Sequence, residues 1–456
     1  MAKPGIVHIV HHVDAEGPLF EEPAETLKRI ETTFGTKLPF PKTGPTLQKL
    51  QRGELTVDGI HAAKMQAMLD PHTLHTLGTW KQVRAMLKRV TAREFRMEEK
   101  DSFGGGWVFN WHVMDHVGFK TNERGRDLGY LKIFNVYEKM LAEDESRRDA
   151  IHWHFHPISH YKEAHIPATS YDNSYREIHE VLCRRLIEKK WFPRVNRAGF
   201  HSERPDSNWF LEQWIPFDAS NQSIEMSGEE QRDAINGRFG DWAGAPSDWS
   251  MYHPDLYDWR KKGNARRVIA RALNMRSRFR NINEHELKKA FSRAEKGENI
   301  YVGITNHDWR DMEVEIRDFR KLLISTRAEF PTVEYKFSES VDAFRSALGL
   351  APDVIQGARI DLDCTLQDDV LVVKVTNGEP FGPQPYLAIK TKKGEYFHDN
   401  FDFGVFKKTY MYTLDRYTVE TKDIDTIAIA SNDLYGNTCI CNIRFHKNSP
   451  STKHFL

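Results

Sequence analysis

The chain has few cysteines, no long apolar run and no excess of charge of either sign, and each absence excludes a class of protein. Four cysteines among 456 residues are too few for a disulfide framework. Closely spaced free thiols such as Cys439 and Cys441 fit a reducing cytoplasm. No stretch approaches the roughly 20 apolar residues that a membrane-spanning helix needs. The 65 basic residues balance 65 acidic ones, which argues against a dedicated nucleic-acid-binding protein, because that class needs a basic excess.

Two targeting or binding motifs are also missing. The N-terminal sequence MAKPGIVHIVHHVDAEGP has an apolar stretch interrupted by His and Asp, which predicts a buried strand and not a secretory signal. We therefore expect a cytoplasmic protein. The glycine-rich segment 101–106 lacks the spacing of a nucleotide-binding loop and does not open a helix, so it is interpreted as a turn.

The first three quarters of the sequence alternate between strand-like and helix-like segments. Strands are predicted at the apolar runs 6–13, 107–113, 150–155, 195–200, 215–219, 299–305 and 333–337. Repeated strand-then-helix units imply parallel strands joined by crossovers, so we expect an α/β fold with a barrel of about seven units. Residues 19–100 carry Pro, Gly and scattered apolar residues, and they are expected to contain an insertion.

The pattern changes after Pro352. Short strand-like pieces with turn signals and no helices follow, which predicts an all-β sandwich. We therefore expect a barrel domain at 1–350 and a β-sandwich domain at 351–456. The sandwich is expected to fold independently and to carry no catalytic group. A turn is predicted at 435–437, because Gly and Asn tolerate positive φ.

Two clusters of possible metal ligands follow predicted strands. Asp14 and Glu16 end the first strand and share one face, because side chains alternate along a strand. His152, His154 and His156 share one face of the third. The carboxyl ends of barrel strands are where active sites of α/β barrels lie. A lone strand histidine is usually a core residue, but three on one face are hard to bury, so we expect a catalytic metal site with open positions for water.

Three more polar residues follow apolar strand segments and would reach the same rim of the barrel. Arg197 could orient a buried carboxylate, although a surface salt bridge is the alternative. His307, followed by Asp308, could act as a general acid, although the alternative is a neighbour of a helix cap. Asp115 follows the second strand and is a candidate for contact with the substrate.

The segment 221–262 is rich in Trp, Gly, Pro and Asp and is predicted to be a long functional loop. Its rings Trp242, Trp249 and Tyr252 could stack on the faces of sugars. Packing within the loop is the alternative, and the sequence does not decide between the two.

The order of these motifs resembles the polysaccharide deacetylase (NodB-like) superfamily over roughly residues 5–345. The motifs are DAEGP, HWHFHP, NRAGFHSERPDSNWFLEQWIPFDAS and ITNHD. They are similar to the family's acidic pair before Gly-Pro, its two metal-binding histidines, its arginine before a helix and a strand ending in Asp-Ser, and its catalytic histidine. The resemblance implies a distorted (β/α)7 barrel, with the β-rich C-terminal part outside it.

The resemblance also implies a set of ligands. By chain order Asp14 takes the role of base and Glu16 that of metal ligand, although here one residue separates the two, whereas the family's pair is adjacent. The family's histidines stand four apart, which would select His152 and His156. A His-x-His-Pro variant would select His154 and His156, and strand geometry favours this second choice.

The activity implied by the resemblance is that of a metal-dependent hydrolase removing an acyl group, expected to be N-acetyl, from an amino sugar. With a divalent ion, expected to be Zn²⁺, Asp14 would be the base, His307 would protonate the leaving amine and Arg197 would keep Asp14 ionised. The substrate would be a glycan or activated sugar of surface-polysaccharide biosynthesis or modification. Alternatives are an imide or ureide hydrolase on the same barrel, and a non-catalytic carbohydrate-binding protein.

Overall fold

The N-terminal part of the chain forms a closed barrel of parallel strands surrounded by helices. The computed structural model describes residues 3–60, 65–66, 68–70, 74–143, 148–164, 169–225, 240–277, 280–445 and 452–456. The strands of the barrel part are β1 (Ile6–Ala15), β2 (Phe109–Asp115), β3 (Ala150–Phe155), β4 (Val195–Asn196), β5 (Phe217–Asn221), β6 (Val268–Asn274), β7 (Ile300–His307) and β8 (Glu334–Phe337).

The barrel closes through β1. Strands β1 to β7 pair in chain order, and β1 pairs with both β7 and β2. Strand β8 is additional. It pairs with Ile6–Ile9 of β1, whereas β2 pairs with His11–Ala15. Because β8 separates β1 from β2 at the amino end of the strands, the barrel is distorted there.

The expected α/β barrel is confirmed, but its seven strands are not the seven that were predicted. Strand β6 was missed, because Arg271 interrupts its apolar run; the guanidinium is buried and paired with Glu286 at 2.5 Å. The predicted strand at 333–337 is β8, outside the closed ring. The predicted strand at 195–200 ends at Asn196, because a 3₁₀ turn begins at Gly199.

Helices connect most of the strands. They are α1 (Pro23–Phe34), α2 (Gly44–Gln51), α3 (Trp80–Thr91), α4 (Arg93–Arg96), α5 (Lys132–Glu143), α6 (Tyr175–Lys189), α7 (Pro205–Trp214), α8 (Glu284–Glu295), α9 (Met312–Ala328), α10 (Ser340–Ala347) and α11 (Pro352–Gly357). Between β5 and β6, residues 222–225 and 240–267 contain no α-helix, so the described part of the chain does not show a helix in every unit. Among the described residues, no helix combines the length and the apolar character that crossing a membrane requires.

Burial explains why the sequence forms these elements. All of β1 beyond Ile6 is buried, because a parallel barrel strand has the lumen on one face and helices on the other. Helix α3 begins where the Thr79 side chain accepts a hydrogen bond from the Gln82 backbone, a typical N-cap. Its buried residues recur at helical spacing and pack on the barrel; they are Val83, Met86, Leu87 and Val90.

The residues 19–100, where an insertion is expected, contain two kinds of helix. Helices α1 and α2 share a small core of their own, which includes Leu27, Ile30 and Leu50. Helix α3 instead belongs to the outer layer of the barrel. Within 61–73, residues 61–64, 67 and 71–73 lie outside the described part of the chain.

The C-terminal part consists of two antiparallel sheets, in the orders β13-β14-β10-β9 and β12-β11-β15-β16-β17. Their strands are β9 (Asp361–Gln367), β10 (Val370–Asn377), β11 (Tyr386–Thr391), β12 (Tyr396–Asp399), β13 (Asp402–Val405), β14 (Thr409–Thr413), β15 (Ile424–Asn432), β16 (Thr438–Arg444) and β17 (Thr452–Phe455). The sheets enclose a common apolar core. The expected turn at 435–437 joins β15 to β16, and Gly436 has φ of 75°.

The sandwich shares a second apolar core with the barrel part. Tyr386, Ala428 and Ile440 pack with Leu182 and Leu186 of α6 in one continuous cluster. Polar contacts add to it, because the Asn432 side chain donates to the carbonyls of residues 193 and 214 at 2.7 and 2.8 Å. This interface does not favour the independent folding expected from the sequence, since separation would expose apolar surface on both sides.

Tyr386→Ala tests this coupling. Tyr386 is fully buried and its hydroxyl lies 2.9 Å from Nδ1 of His179 on α6, so we expect the free energy of unfolding to fall by about 3–5 kcal/mol. All eleven tryptophans precede residue 310, so urea unfolding followed by tryptophan fluorescence reports on the barrel part alone. The control is Tyr417→Ala, at a residue that is 79% exposed, which should change the free energy of unfolding by less than about 0.5 kcal/mol. An unchanged barrel transition in Tyr386→Ala would show that the two parts fold independently.

Candidate metal centre

Three ligating side chains converge at the carboxyl ends of β1 and β3. The Nε2 atoms of His154 and His156 lie 3.6 and 3.2 Å from Oε1 of Glu16, and 3.1 Å from each other. All three residues are buried. Ligands about 2.0–2.1 Å from a tetrahedral Zn²⁺ lie about 3.3 Å apart. The buried cluster of Glu16, His154 and His156 could therefore hold a metal ion.

Hydrogen bonds at Nδ1 orient both imidazoles so that Nε2 faces the centre. Nδ1 of His154 lies 2.8 Å from the carbonyl oxygen of Arg197. Because a carbonyl only accepts, His154 donates there, and its Nε2 is the nitrogen that faces Glu16. Nδ1 of His156 lies 3.2 Å from Nδ1 of His116, which can accept in the same way. Such partners fix the tautomer and the orientation of metal-binding imidazoles.

The two oxygens of Glu16 have different environments. Oε2 accepts hydrogen bonds from Arg126 Nη1 and from the Trp309 indole, the latter at 2.9 Å, whereas Oε1 faces the imidazoles. Burial would raise the pKa of the Glu16 carboxyl, but Arg126 and the hydrogen bonds of the two histidines outweigh it and hold that pKa well below its ordinary value. Glu16 is therefore an ionised ligand with one oxygen directed into the centre.

Asp14 lies beside the centre and is held by Arg197. Its Oδ1 accepts from Arg197 Nε at 2.6 Å, whereas its buried Oδ2 has no hydrogen-bond partner among the described residues. Burial opposes ionisation of Asp14, but Arg197, His154 and His307 outweigh it and lower the pKa of this carboxyl. Asp14 therefore offers one free, charged oxygen close to the ligands.

His307 lies at the outer side of the centre. Its Nε2 is 3.7 Å from Oδ2 of Asp14 and 4.0 Å from Oε1 of Glu16. Its side chain is 18% exposed, more than the side chains of the three ligands. Burial lowers the pKa of His307 to about 4 against the opposing effect of Glu16 and Asp14, so the ring is neutral near pH 7.

His152 lies outside the cluster. Its Nε2 is 3.2 Å from the Asn110 side chain and 3.2 Å from Glu339. Alternate residues of a strand are roughly 6–7 Å apart, so His152 occupies the layer below His154. Of the two histidine pairs that the sequence allowed, the structure brings His154 and His156 together with Glu16.

The layer below the centre is a directed chain of hydrogen bonds. Nδ1 of His112 lies 3.2 Å from the carbonyl of Trp153 and must donate to it. Its Nε2 then accepts from Nδ1 of His12 at 2.8 Å, and Nε2 of His12 accepts from the Tyr301 hydroxyl at 2.9 Å. Burial, with the charges around it, lowers the pKa of both histidines well below the ordinary value. These rings are neutral and fixed.

The segment after Arg197 packs closely over β3. A Cβ atom on Gly199 would lie 2.0 Å from the carbonyl oxygen of Phe155 and 2.6 Å from the His156 ring, so only glycine fits there. The ring of Phe200 covers His156, with centroids 4.2 Å apart. Phe200 has φ of 55°, a conformation that costs energy outside glycine. This cover keeps the ligand face of β3 buried.

Asp115 is placed differently from the expectation. It is fully buried, and its carboxylate is paired with Arg185 of α6 at 2.7 Å, on the outer face of β2. This position does not favour the expected contact with a substrate. Asp308 is also buried and accepts hydrogen bonds from the backbone of Glu16 at 2.8 Å and Gly17 at 2.9 Å. It therefore fixes the backbone at the exit of β1.

The structure gives the packing alternative for the rings of the aromatic loop. Trp242, Trp249 and Tyr252 are at most 4% exposed. Trp249 packs in the main barrel core, and the other two pack against Ile269 of β6. All three rings are therefore buried by packing within the protein, and none of them has an exposed face on which a sugar could stack. Residues 226–239 of the predicted functional loop lie outside the described part of the chain.

Sequence reasoning missed three residues of the centre. Trp309 stands two residues after His307, which was a usable signal. His116 continues the alternation of the lumen-facing residues of β2, and its position after Asp115 could have identified it. Arg126 lies in the irregular connection between β2 and α5, where no periodic pattern indicates the direction of a side chain.

Comparisons of the chain with protein-family models, with curated proteins and with solved structures find no match.

His154→Ala should abolish high-affinity binding of Zn²⁺, because it removes one of three converging ligands. His152→Ala is the matched control, since His152 stands on the same face of the same strand and belongs to the layer below. We expect His152→Ala to keep one ion per chain by equilibrium dialysis with metal analysis. Loss of the ion in a folded His152→Ala protein, with retention in His154→Ala, would reverse the assignment.

The buried histidines also predict sensitivity to acid. Nδ1 of His11 accepts from the Trp107 indole at 2.9 Å, and burial first of all lowers the pKa of His11 to about 4. The folded state therefore binds fewer protons than the unfolded state between pH 6.5 and pH 4, so stability falls as the pH falls through this window. His11→Gln should reduce the proton uptake on unfolding by about one proton. An unchanged proton uptake on unfolding in a folded His11→Gln protein, measured as the dependence of the free energy of unfolding on pH, would contradict the assignment.

Proposed function

We propose that the chain is a metal-dependent hydrolase that removes an acyl group, expected to be N-acetyl, from an amino sugar. One observation carries the proposal. A charged carboxylate oxygen, Oδ2 of Asp14, has no hydrogen-bond partner among the described residues and lies beside three converging side chains that could hold a metal ion. Hydrolysis at a metal needs this combination, because the ligands hold the ion and a separate base removes the proton of the attacking water.

The residues present fit a divalent ion with nitrogen and oxygen ligands. Glu16, His154 and His156 would hold it, and two imidazoles with one carboxylate are a common set for catalytic zinc. We therefore propose Zn²⁺. When bound, the ion supplies Lewis acidity, which polarises the acyl carbonyl and makes water a better nucleophile at neutral pH.

Asp14 is proposed as the general base. Its Oδ1 is fixed by Arg197 at 2.6 Å, which leaves Oδ2 to accept a proton. The Arg197 guanidinium stabilises the charged form of Asp14, and its backbone carbonyl orients His154. One arginine therefore positions both the base and a ligand.

His307 is proposed as the general acid. Asp14 takes a proton from the attacking water and passes it to Nε2 of the neutral His307. Nε2 of His307 and Oδ2 of Asp14 are 3.7 Å apart, so a small movement completes this transfer, and the protonated His307 then donates the proton to the leaving amine as the C–N bond breaks. The cycle then ends with both residues in their starting states. His307 is more exposed than Asp14 and the three ligands, and we propose that the substrate approaches there.

The type of bond and the type of substrate have different support. The geometry of Asp14, His307 and the ligands supports hydrolysis of a C–N bond. The order of the sequence motifs supports a glycan or activated sugar of surface-polysaccharide biosynthesis or modification as the substrate. All four cysteines are free and buried, which supports a place in the reducing cytoplasm. An imide or ureide hydrolase would use the same groups, so the substrate panel has to separate the two.

Asp14→Asn should lower turnover by about 10²–10⁴-fold, because it removes the general base. The bound ion should remain, since Asp14 is not one of the three converging ligands. His307→Ala should also keep the ion and lose turnover. The assay measures acetate or amine released from N-acetyl and O-acetyl sugars, with cyclic imides and ureides as a second panel.

The outcomes separate the candidate functions. Turnover of the imides alone would replace the deacetylase proposal by the imide hydrolase. Full activity of Asp14→Asn on a substrate that the parent protein hydrolyses would contradict the proposed mechanism. A parent protein that binds glycans, takes up no Zn²⁺ and hydrolyses neither panel would be a carbohydrate-binding protein.

A further inference from the structure

The carboxylate of Glu16 is shared between the candidate metal centre and a buried arginine. We propose that Arg126 is a positioning residue that withholds one oxygen of Glu16 from the ion, so that Glu16 binds through Oε1 alone and the ion is held less tightly. This inference rests on the proposed function. It adds a residue for which the sequence motifs gave no indication.

The contacts of Glu16 are divided between its two oxygens. Oε2 accepts from Arg126 Nη1 and from Trp309 Nε1 at 2.9 Å. Oε1 lies 3.2 Å from Nε2 of His156 and 3.6 Å from Nε2 of His154. A carboxylate with both oxygens free can bind a divalent ion through both. Two donors on Oε2 therefore favour binding through a single oxygen.

Arg126 is held in place by its own loop. The Asn122 side chain accepts from the backbone N–H of Arg126 at 2.9 Å and donates to its carbonyl at 2.7 Å. Nη1 also lies 3.8 Å from the sulfur of Met114 on β2. The loop is joined to the chain after β1, where the backbone of Phe20 donates to the carbonyl of Arg124 at 3.0 Å. Arg126 thus has little freedom to leave Glu16.

Burying a charged arginine is energetically unfavourable, which argues against a purely structural role for Arg126. Its side chain is 5% exposed, and Glu16 is the one carboxylate paired with it among the described residues. Removing a guanidinium and a carboxylate from water carries a large desolvation penalty, and their mutual attraction often only compensates this penalty. A divalent ion on the other oxygen of Glu16 would add repulsion. The structure therefore places a cation where it opposes metal binding.

The expected effect of Arg126 on metal affinity is opposite to that of most residues that hydrogen-bond to a metal ligand. Carboxylates and carbonyls behind ligating histidines raise the basicity of the ligand, and their loss typically weakens binding 10–100-fold. Arg126 does the opposite, because it draws electron density away from Glu16. An ion held by a weaker donor set keeps more of its Lewis acidity and more open positions for water and substrate.

The test uses Co²⁺ binding to the full chain after removal of bound metal, and needs no activity measurement. We expect Arg126→Met to bind Co²⁺ at least about 10-fold more tightly, because the charge that repels the ion is gone and Oε2 is released. Its visible absorption should weaken, since Co²⁺ absorbs less strongly when a further ligand raises its coordination number. Trp309→Phe removes the other donor to Oε2 and should shift both quantities in the same direction by a smaller amount.

Arg124→Met is the matched control. Arg124 stands in the same loop and pairs with Glu21 at 3.1 Å, away from the three ligands, so its loss should change neither the affinity nor the spectrum. Weaker Co²⁺ binding with an unchanged spectrum in Arg126→Met would show a purely structural role and overturn the inference. If Arg126→Met does not fold, Arg126→Gln and Trp309→Phe decide by the same two measurements. A parent protein that binds no Co²⁺ or Zn²⁺ would instead overturn the proposed function and this inference with it.

Discussion

Two carboxylates buried at the end of one strand impose the arrangement of the whole centre. Asp14 and Glu16 are 1% and 3% exposed, and charges so buried persist only with charged partners and hydrogen bonds. Arg197 reaches Asp14 from the end of β4, and Arg126 reaches Glu16 from the loop after β2. Each arginine engages one oxygen of its carboxylate and leaves the other directed toward the ligands. The same pairing therefore stabilises the fold and exposes the chemistry.

Arg197 links this constraint to the interior of the barrel. Its backbone N–H donates to the carbonyl of Trp153 at 3.0 Å, which also accepts from His112 at 3.2 Å. The hydrogen-bond chain through His12 to Tyr301 therefore ends on the peptide group that fixes the start of the Arg197 segment. Because a carbonyl only accepts, every proton in that chain has one possible position. The polar interior supports the centre as a rigid layer, and it does so only while its histidines are neutral.

The sequence predicted the parts of this molecule that follow from periodicity. Alternation along a strand predicts that Asp14 and Glu16 share one face and that His154 and His156 share another, and the loss of helical spacing after Pro352 predicts the antiparallel sheets. Periodicity does not identify a strand or a site residue when a polar side chain is buried against a partner far away in the sequence. Strand β6 was missed because the partner of Arg271 stands on α8. Arg126 was missed because loop geometry has no period, and the sequence could not decide whether the rings of the aromatic loop are buried, because their exposure depends on packing with β6.

The residue between Asp14 and Glu16 is explained by the strand itself. Strand β1 keeps its pairing with β2 as far as Ala15, so residues 14 and 16 share the lumen face, and an adjacent pair on such a regular strand would point to opposite faces. The same rule requires ligating histidines two apart on β3, and His154 and His156 satisfy it. A spacing of four would need ligands roughly 13 Å apart along a regular strand, beyond the reach of one ion. The spacing in both motifs therefore follows from a single condition, that each strand remains regular up to the metal centre.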